Sequence, residues 1–187
     1  VTPDVIRRIG RLAVNAEEAG ASTVVLTCSS ASPSVSPVSA ALRVPFLSID
    51  EAMAEQAAAR ATRIGVLATV PTTIAPTREL LSAKARLGGR QLDIVSEVCA
   101  EAFQALLRGD RAEHDALVAR ASRDLAQKVE LIVFAQGSMA PLAERLQPDL
   151  PVPILASLES GVRRAAEVWR RSPGSEPSPR GTGSRDQ

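Results

Sequence analysis

Two stretches decide how this chain is read: VVLTCSSAS at residues 24–32 and IVFAQGSMA at residues 132–140. One falls on the other when the sequence is slid against itself by 108 positions without gaps. At the same offset VPFLSIDE (44–51) falls on VPILASLE (152–159), and the helical pattern at 3–18 falls on that at 111–126. A single match between short apolar strands means little. Two matches at one offset, with the same helix ahead of them, read as an internal duplication. Cys28 and Gln136 then occupy equivalent places at two strand tips.

Outward from these stretches, apolar periodicity alternates between helix and strand. Pro3 opens a helix whose Val5, Ile9, Leu12, Ala13 and Ala16 share one face, and Gly20 stops it. Strands are expected at 23–27, 44–49, 63–69, 91–96, 130–135 and 152–155. Further helices are expected near 37–42 and at 50–60, 75–87, 98–108, 111–127, 139–147 and 158–170. Such alternation predicts an α/β fold of parallel strands in helix-covered sheets. With the repeat, it predicts two pseudo-symmetric parallel-sheet lobes. Residues 1–61 form a partial N-terminal lobe carrying Cys28, 62–150 form the second lobe, and 151–170 supply a strand and helix that pack back toward the first. The first half has no counterparts of strands 63–69 and 91–96, so its lobe is expected to be incomplete; a start at Val1 rather than Met fits this. The tail 171–187, rich in Pro, Gly, Ser and charge, is expected to be disordered.

Composition narrows the function. Across 187 residues the net charge is +1 and aromatics are 2% with no Tyr, which argues against a nucleic-acid surface or a base-stacking platform. Apolar runs such as LIVFA at 131–135 fall far short of the ~20 residues of a membrane span. No secretory n-region and h-region open the chain. Cys28 and Cys99 lie far apart, which fits reduced thiols in a cytoplasmic setting. With no metal-ligand spacing and no Gly-rich phosphate loop, neither metal nor cofactor is expected.

The ordered motifs resemble those of the aspartate/glutamate/hydantoin racemase superfamily, over about residues 1–170. TCSSAS at 27–32 looks like its first cysteine motif. GVLATVPTT at 65–73 is similar to its segment whose threonines help hold a substrate carboxylate. IVFAQGSM at 132–139 sits where its second cysteine motif belongs. The resemblance implies two lobes around a cleft and cofactor-independent racemisation or epimerisation of a small amino acid or related carboxylate. It gives Cys28 the catalytic role and Thr69, Thr72 and Thr73 a share in substrate binding. The departure is Gln136, which stands at the second cysteine's place and does not titrate.

Racemisation removes a proton from the carbon beside a carboxylate and returns one to the opposite face. The dipole and free N–H groups of a helix N-terminus favour a thiolate base, and Cys28 is expected to end a strand before a turn into a helix. The N–H groups and hydroxyls of Ser29 and Ser30 suit a carboxylate or enolate oxygen, and Gln136, Gly137 and Ser138 face the same task at the second tip. Plainer readings stand beside these. Cys28 is then an inert buried thiol, the threonines cap helix 75–87, and Ser29, Ser30 and Gln136–Ser138 are turn residues. Cys99 and His114 read as core, and Arg163 and Arg164 as a solvated helix face. One competent cysteine serves a decarboxylase or one-base isomerase better than a racemase, and a catalytically defective small-molecule binder is a further reading. The expected partner is a small carboxylate, with a homo-oligomer compatible.

Overall fold

A computed structural model describes residues 1–172 of the chain. The expected disordered tail therefore lies, but for Arg171 and Ser172, outside the described residues. Helix α1 (Pro3–Glu18) starts because Thr2 accepts the Val5 N–H at 3.4 Å and Pro3 fixes the first helical φ. Helix α6 (Arg111–Ala126) starts on Asp110, which accepts the Glu113 N–H at 2.9 Å. The bounds of the two helices differ by the offset of 108.

Strands β1 (Val24–Leu26) and β2 (Phe46–Ser48) form a two-stranded parallel sheet, with Val24 beside Phe46 and Leu26 beside Ser48. Strands β3 (Arg63–Ala68), β4 (Asp93–Val98), β5 (Leu131–Phe134) and β6 (Ile154–Ala156) form a second, all-parallel sheet in the order β4-β3-β5-β6. Between them run α2 (Val35–Ser39), α3 (Glu51–Arg60), α4 (Ile74–Leu87), α5 (Ala100–Leu107), α7 (Ala140–Leu146) and α8 (Ser157–Arg171).

Alternation along β3 and β5 divides the core between two faces. Ile64, Val66, Leu131 and Val133 meet Met53, Ala54 and Ala57 of α3 and Leu81 of α4. Leu67, Ile132 and Phe134 meet α5, α6 and α7 through Ala102, Val118, Leu125 and Leu142. These central strands are buried on both faces, which is why they read as unbroken apolar runs. A smaller core joins Ala13 of α1, Val38 of α2 and Phe46. Helix α3 thus leaves the first sheet and covers the second. Helix α8 makes the reverse crossing, with Gly161 packed on the backbone of Ile49 and Arg164 bonded to Glu55 of α3 at 2.6 Å.

Strand β4, expected at 91–96, lies at Asp93–Val98, and three other elements are shorter or displaced for local reasons. Strand β2 begins at Phe46 rather than Val44 because the Glu17 carboxylate takes the N–H groups of Arg43 and Val44, at 2.7 and 3.0 Å. Strand β6 begins at Ile154 because the Gln147 side chain holds the Val152 carbonyl and the Ile154 N–H. The helix expected near 37–42 occupies 35–39 and follows a 3-10 turn. Among the described residues no helix is long and apolar enough to cross a membrane.

Candidate active site

Cys28 is exposed, two residues beyond β1, and heads the 3-10 turn Ser29–Ser34. The Ala31 N–H closes the first turn on the Cys28 carbonyl at 2.9 Å. The expected turn is this 3-10 segment, and helix α2 follows it. Pro33 brings no N–H, and the Ser34 hydroxyl donates to the Ala31 carbonyl at 2.6 Å, so local side-chain bonding keeps the segment tight.

The thiol lines a cavity of about 600 Å³ together with Ser30, Thr72, Ala75, Pro76 and Glu79. The Ser30 and Thr72 hydroxyls lie 3.0 Å apart and join the Cys28 turn to the loop after β3. Glu79 is the charged side chain of the lining. The structure therefore brings Cys28, Ser30 and Thr72 together on one open surface.

The other expected residues are placed elsewhere. Ser29 is buried and donates its hydroxyl to Asp50 at 3.0 Å. Thr69 gives its N–H and its hydroxyl to the Gln136 side-chain carbonyl at 2.6 and 3.2 Å, and the Val70 N–H reaches the same oxygen at 3.3 Å. Thr73 is buried and donates to the Val70 carbonyl at 3.1 Å. Gly137 packs beneath Leu158, whose Cδ2 lies 3.1 Å from where a Cβ would stand. Ser138 is exposed. None of Ser29, Thr69, Thr73, Gln136, Gly137 and Ser138 lines the Cys28 cavity.

Asp50 is the residue that reading the sequence missed. It looks like the start of α3, yet it is 2% exposed and accepts Ser29 at 3.0 Å and Ser32 at 3.0 Å on its two oxygens. Its signal lay in the 108-position offset, where it falls on Leu158.

A second cavity, of about 540 Å³, lies between α7 and α8 and includes Arg163. That guanidinium is bonded to Glu159 at 2.6 Å, and Arg164 to Glu55. His114 is buried, with Nδ1 2.9 Å from Asp115, and Cys99 is buried as expected. Burial alone would raise the Asp115 carboxyl; hydrogen bonds from His114 and Arg145 outweigh it and hold the carboxyl below its ordinary value.

The Asp/Glu/Hydantoin racemase family model matches residues 2–165. No curated protein sequence matches the chain. Among solved structures, glutamate racemase from Bacillus anthracis is similar at 19% identity and a TM-score of 0.67, over 89% of this chain and 65% of its own. Allantoin racemase from Klebsiella pneumoniae is similar at 22% identity and a TM-score of 0.58, over 88% and 64%. Arylmalonate decarboxylase is similar at 18% identity and a TM-score of 0.60, over 88% and 75%. The chain thus spans a little under two thirds of the length of the two racemases. With α/β lobes, parallel sheets and a family model that covers nearly all the described residues, the chain belongs to the Asp/Glu/Hydantoin racemase family.

Proposed function

We propose that Cys28 is an acid/base of a cofactor-independent isomerase reaction on a small amino acid or related carboxylate. The observation that carries this reading is the exposed thiol in one cavity with the paired hydroxyls of Ser30 and Thr72. The Cys28 thiolate takes the proton from the carbon beside the carboxylate. The C–H electron pair moves into the carboxylate to give an enediolate, whose oxygens the two hydroxyls and the free N–H groups opening the turn stabilise. Return of the proton from the thiol completes one face. Glu79 supplies a negative charge suited to a substrate ammonium, which favours an amino acid over a diacid.

Inversion needs a second acid on the opposite face, and Gln136 does not supply it: a carboxamide is too weak an acid and base to transfer a proton near neutral pH, and its carbonyl oxygen accepts from Thr69 and Val70. That engagement favours a second reading, protonation by Cys28 of the enolate left when a carboxylate departs as CO2. Deuterium exchange at the α-carbon in heavy water, followed by NMR across a panel of small amino acids and 2-substituted acids, tests the proposal. Cys28→Ala should lower exchange by about 100- to 10,000-fold. Undiminished exchange in that variant overturns the role of Cys28. Release of CO2 without exchange of the intact acid selects the second reading.

A further inference from the structure

The turn beneath Cys28 rests on a buried polar cluster that the other half of the molecule lacks. Ser29 and Ser32 each donate to a different oxygen of Asp50, at 3.0 Å. Ser32 also lies 3.2 Å from the Ser48 hydroxyl, and Ser48 accepts the Asp50 N–H at 3.3 Å. Asp50, Ser29 and Ser48 are 2%, 7% and 8% exposed. At the offset of 108, Ser29, Ser32, Ser48 and Asp50 fall on Gly137, Ala140, Ala156 and Leu158. Every polar member is replaced by a small or apolar residue, and Leu158 packs on Gly137 where Asp50 binds Ser29.

In the second half a shorter turn, Gly137–Met139, packs Gly137 under Leu158, so a strand-to-helix turn forms at the equivalent place with no buried carboxylate beneath it. A buried carboxylate is a costly alternative, because it leaves water for two hydroxyl partners. Its retention under Cys28 therefore needs a reason besides holding the chain together. Directional bonds fix a turn more tightly than an aliphatic contact does, and an acid/base must be held to within a fraction of an ångström.

We infer that Asp50 is a positioning residue: through Ser29 and Ser32 it sets the turn that presents Cys28 and Ser30 to the substrate. This rests on the proposed role of Cys28, and the test separates the two. The probes are iodoacetamide and iodoacetate. In both, the thiolate attacks the CH2 carbon, an S–C bond forms and iodide leaves. Iodoacetate carries a carboxylate, so its rate relative to iodoacetamide reads carboxylate recognition beside the thiol.

Two variants are compared with the parent: Asp50→Asn, and the triple variant Ser29→Gly, Ser32→Ala, Asp50→Leu, which copies the apolar set of the second half. Both are checked for folding by circular dichroism and by continued protection of Cys99. The triple variant carries the test if Asp50→Asn unfolds. The expected result is a folded protein in which Cys28 reacts with iodoacetamide at pH 7 about fivefold or more slowly than in the parent, as the turn that presents the thiol loses its register. The relative iodoacetate rate should fall by a similar factor. Unchanged iodoacetamide labelling of Cys28 in a folded variant, with only the melting temperature altered, overturns the inference and makes Asp50 a purely structural residue. A parent that shows no carboxylate preference, while the variants still slow iodoacetamide, retains the role of Asp50 and counts instead against the proposed substrate.

Discussion

Gln136 and Thr69 are joined twice, for one side-chain oxygen of Gln136 takes both the backbone N–H and the hydroxyl of Thr69, at 2.6 and 3.2 Å. The residue at the second strand tip thereby serves as the anchor of the loop after β3. Gln136→Leu leaves the Thr69 and Val70 donors without this acceptor and should cost about 1–3 kcal/mol in urea unfolding. Gln136→Glu keeps an acceptor and should cost less. Gln136→Cys combines a similar loss of stability with a titrating group at the tip of β5, the place proposed for a second base. Optical rotation should then reveal inversion alongside deuterium exchange. Fast inversion by the parent would place the second base elsewhere and refute this assignment.

Glu79 lines the Cys28 cavity as its charged side chain. If it meets a substrate ammonium, Glu79→Gln should weaken amino acids by about fivefold relative to the matching 2-hydroxy acids, the worth of one partly solvated charge pair. Competition in the exchange assay measures the ratio. Equal weakening of both classes would remove the ammonium from the proposal.

The cluster that ties α3, α4 and α8 together gives stability a defined pH dependence. Burial by itself would raise the Glu55 carboxyl, but hydrogen bonds and charge from Lys84 and Arg164 hold it below its ordinary value of 4.5. A depressed carboxyl stabilises the fold above that ordinary value and ceases to do so as pH falls through the lowered one. Burial would lower Lys84, yet its bonds to Glu51 and Glu55 raise it above 10.5. Its contribution is therefore complete below 10.5 and fades as pH rises past the raised value. Thermal melts should fall off at both ends, and Glu55→Gln should flatten the acid limb below about pH 4.5. An acid limb unaltered by Glu55→Gln would assign the loss to other carboxylates.

Gly161 sits where α8 crosses the chain just before Asp50, and a Cβ there would overlap the Ile49 carbonyl oxygen. Gly161→Ala also presses on the Ile49 side chain, but the nearest obstacle is backbone and cannot be pushed aside cheaply. It should destabilise by about 1–3 kcal/mol, despite alanine's better helix propensity. A rise in melting temperature would show that α8 moves freely over Ile49.

Apolar periodicity and the 108-residue offset make much of the fold legible. Residues 3–18 and 111–126 were read as matched helices, and α1 and α6 occupy those bounds. Parallel strands followed from β3 and β5 being apolar at every position after the first, as strands covered on both faces must be. What stayed hidden was side-chain commitment. Nothing in TCSSAS separates Ser29, which turns inward to Asp50, from Ser30, which turns outward to Thr72, because a 3-10 turn and a regular helix aim successive residues differently. The sequence places Gln136 at a strand tip, but its bond to Thr69 spans 67 positions, beyond any local pattern. Asp50 was concealed by its resemblance to an ordinary helix opener.

Two walls of the Cys28 cavity are tied from behind, the turn by Asp50 and the loop after β3 by Gln136, while the start of α1 supplies Val1, Thr2 and Val5 to a third. Such a site has its shape before a ligand arrives. Binding then forfeits little chain freedom, so modest contacts suffice for useful affinity and a ligand is discriminated by fit more than by rearrangement. Amide exchange at Ala31, Thr69 and Val70, whose N–H groups are bonded, should accordingly be slow in the empty protein and little changed on saturation. A ligand that needed the walls to spread would have to break one of the two ties, and would meet its penalty as a slow association rate.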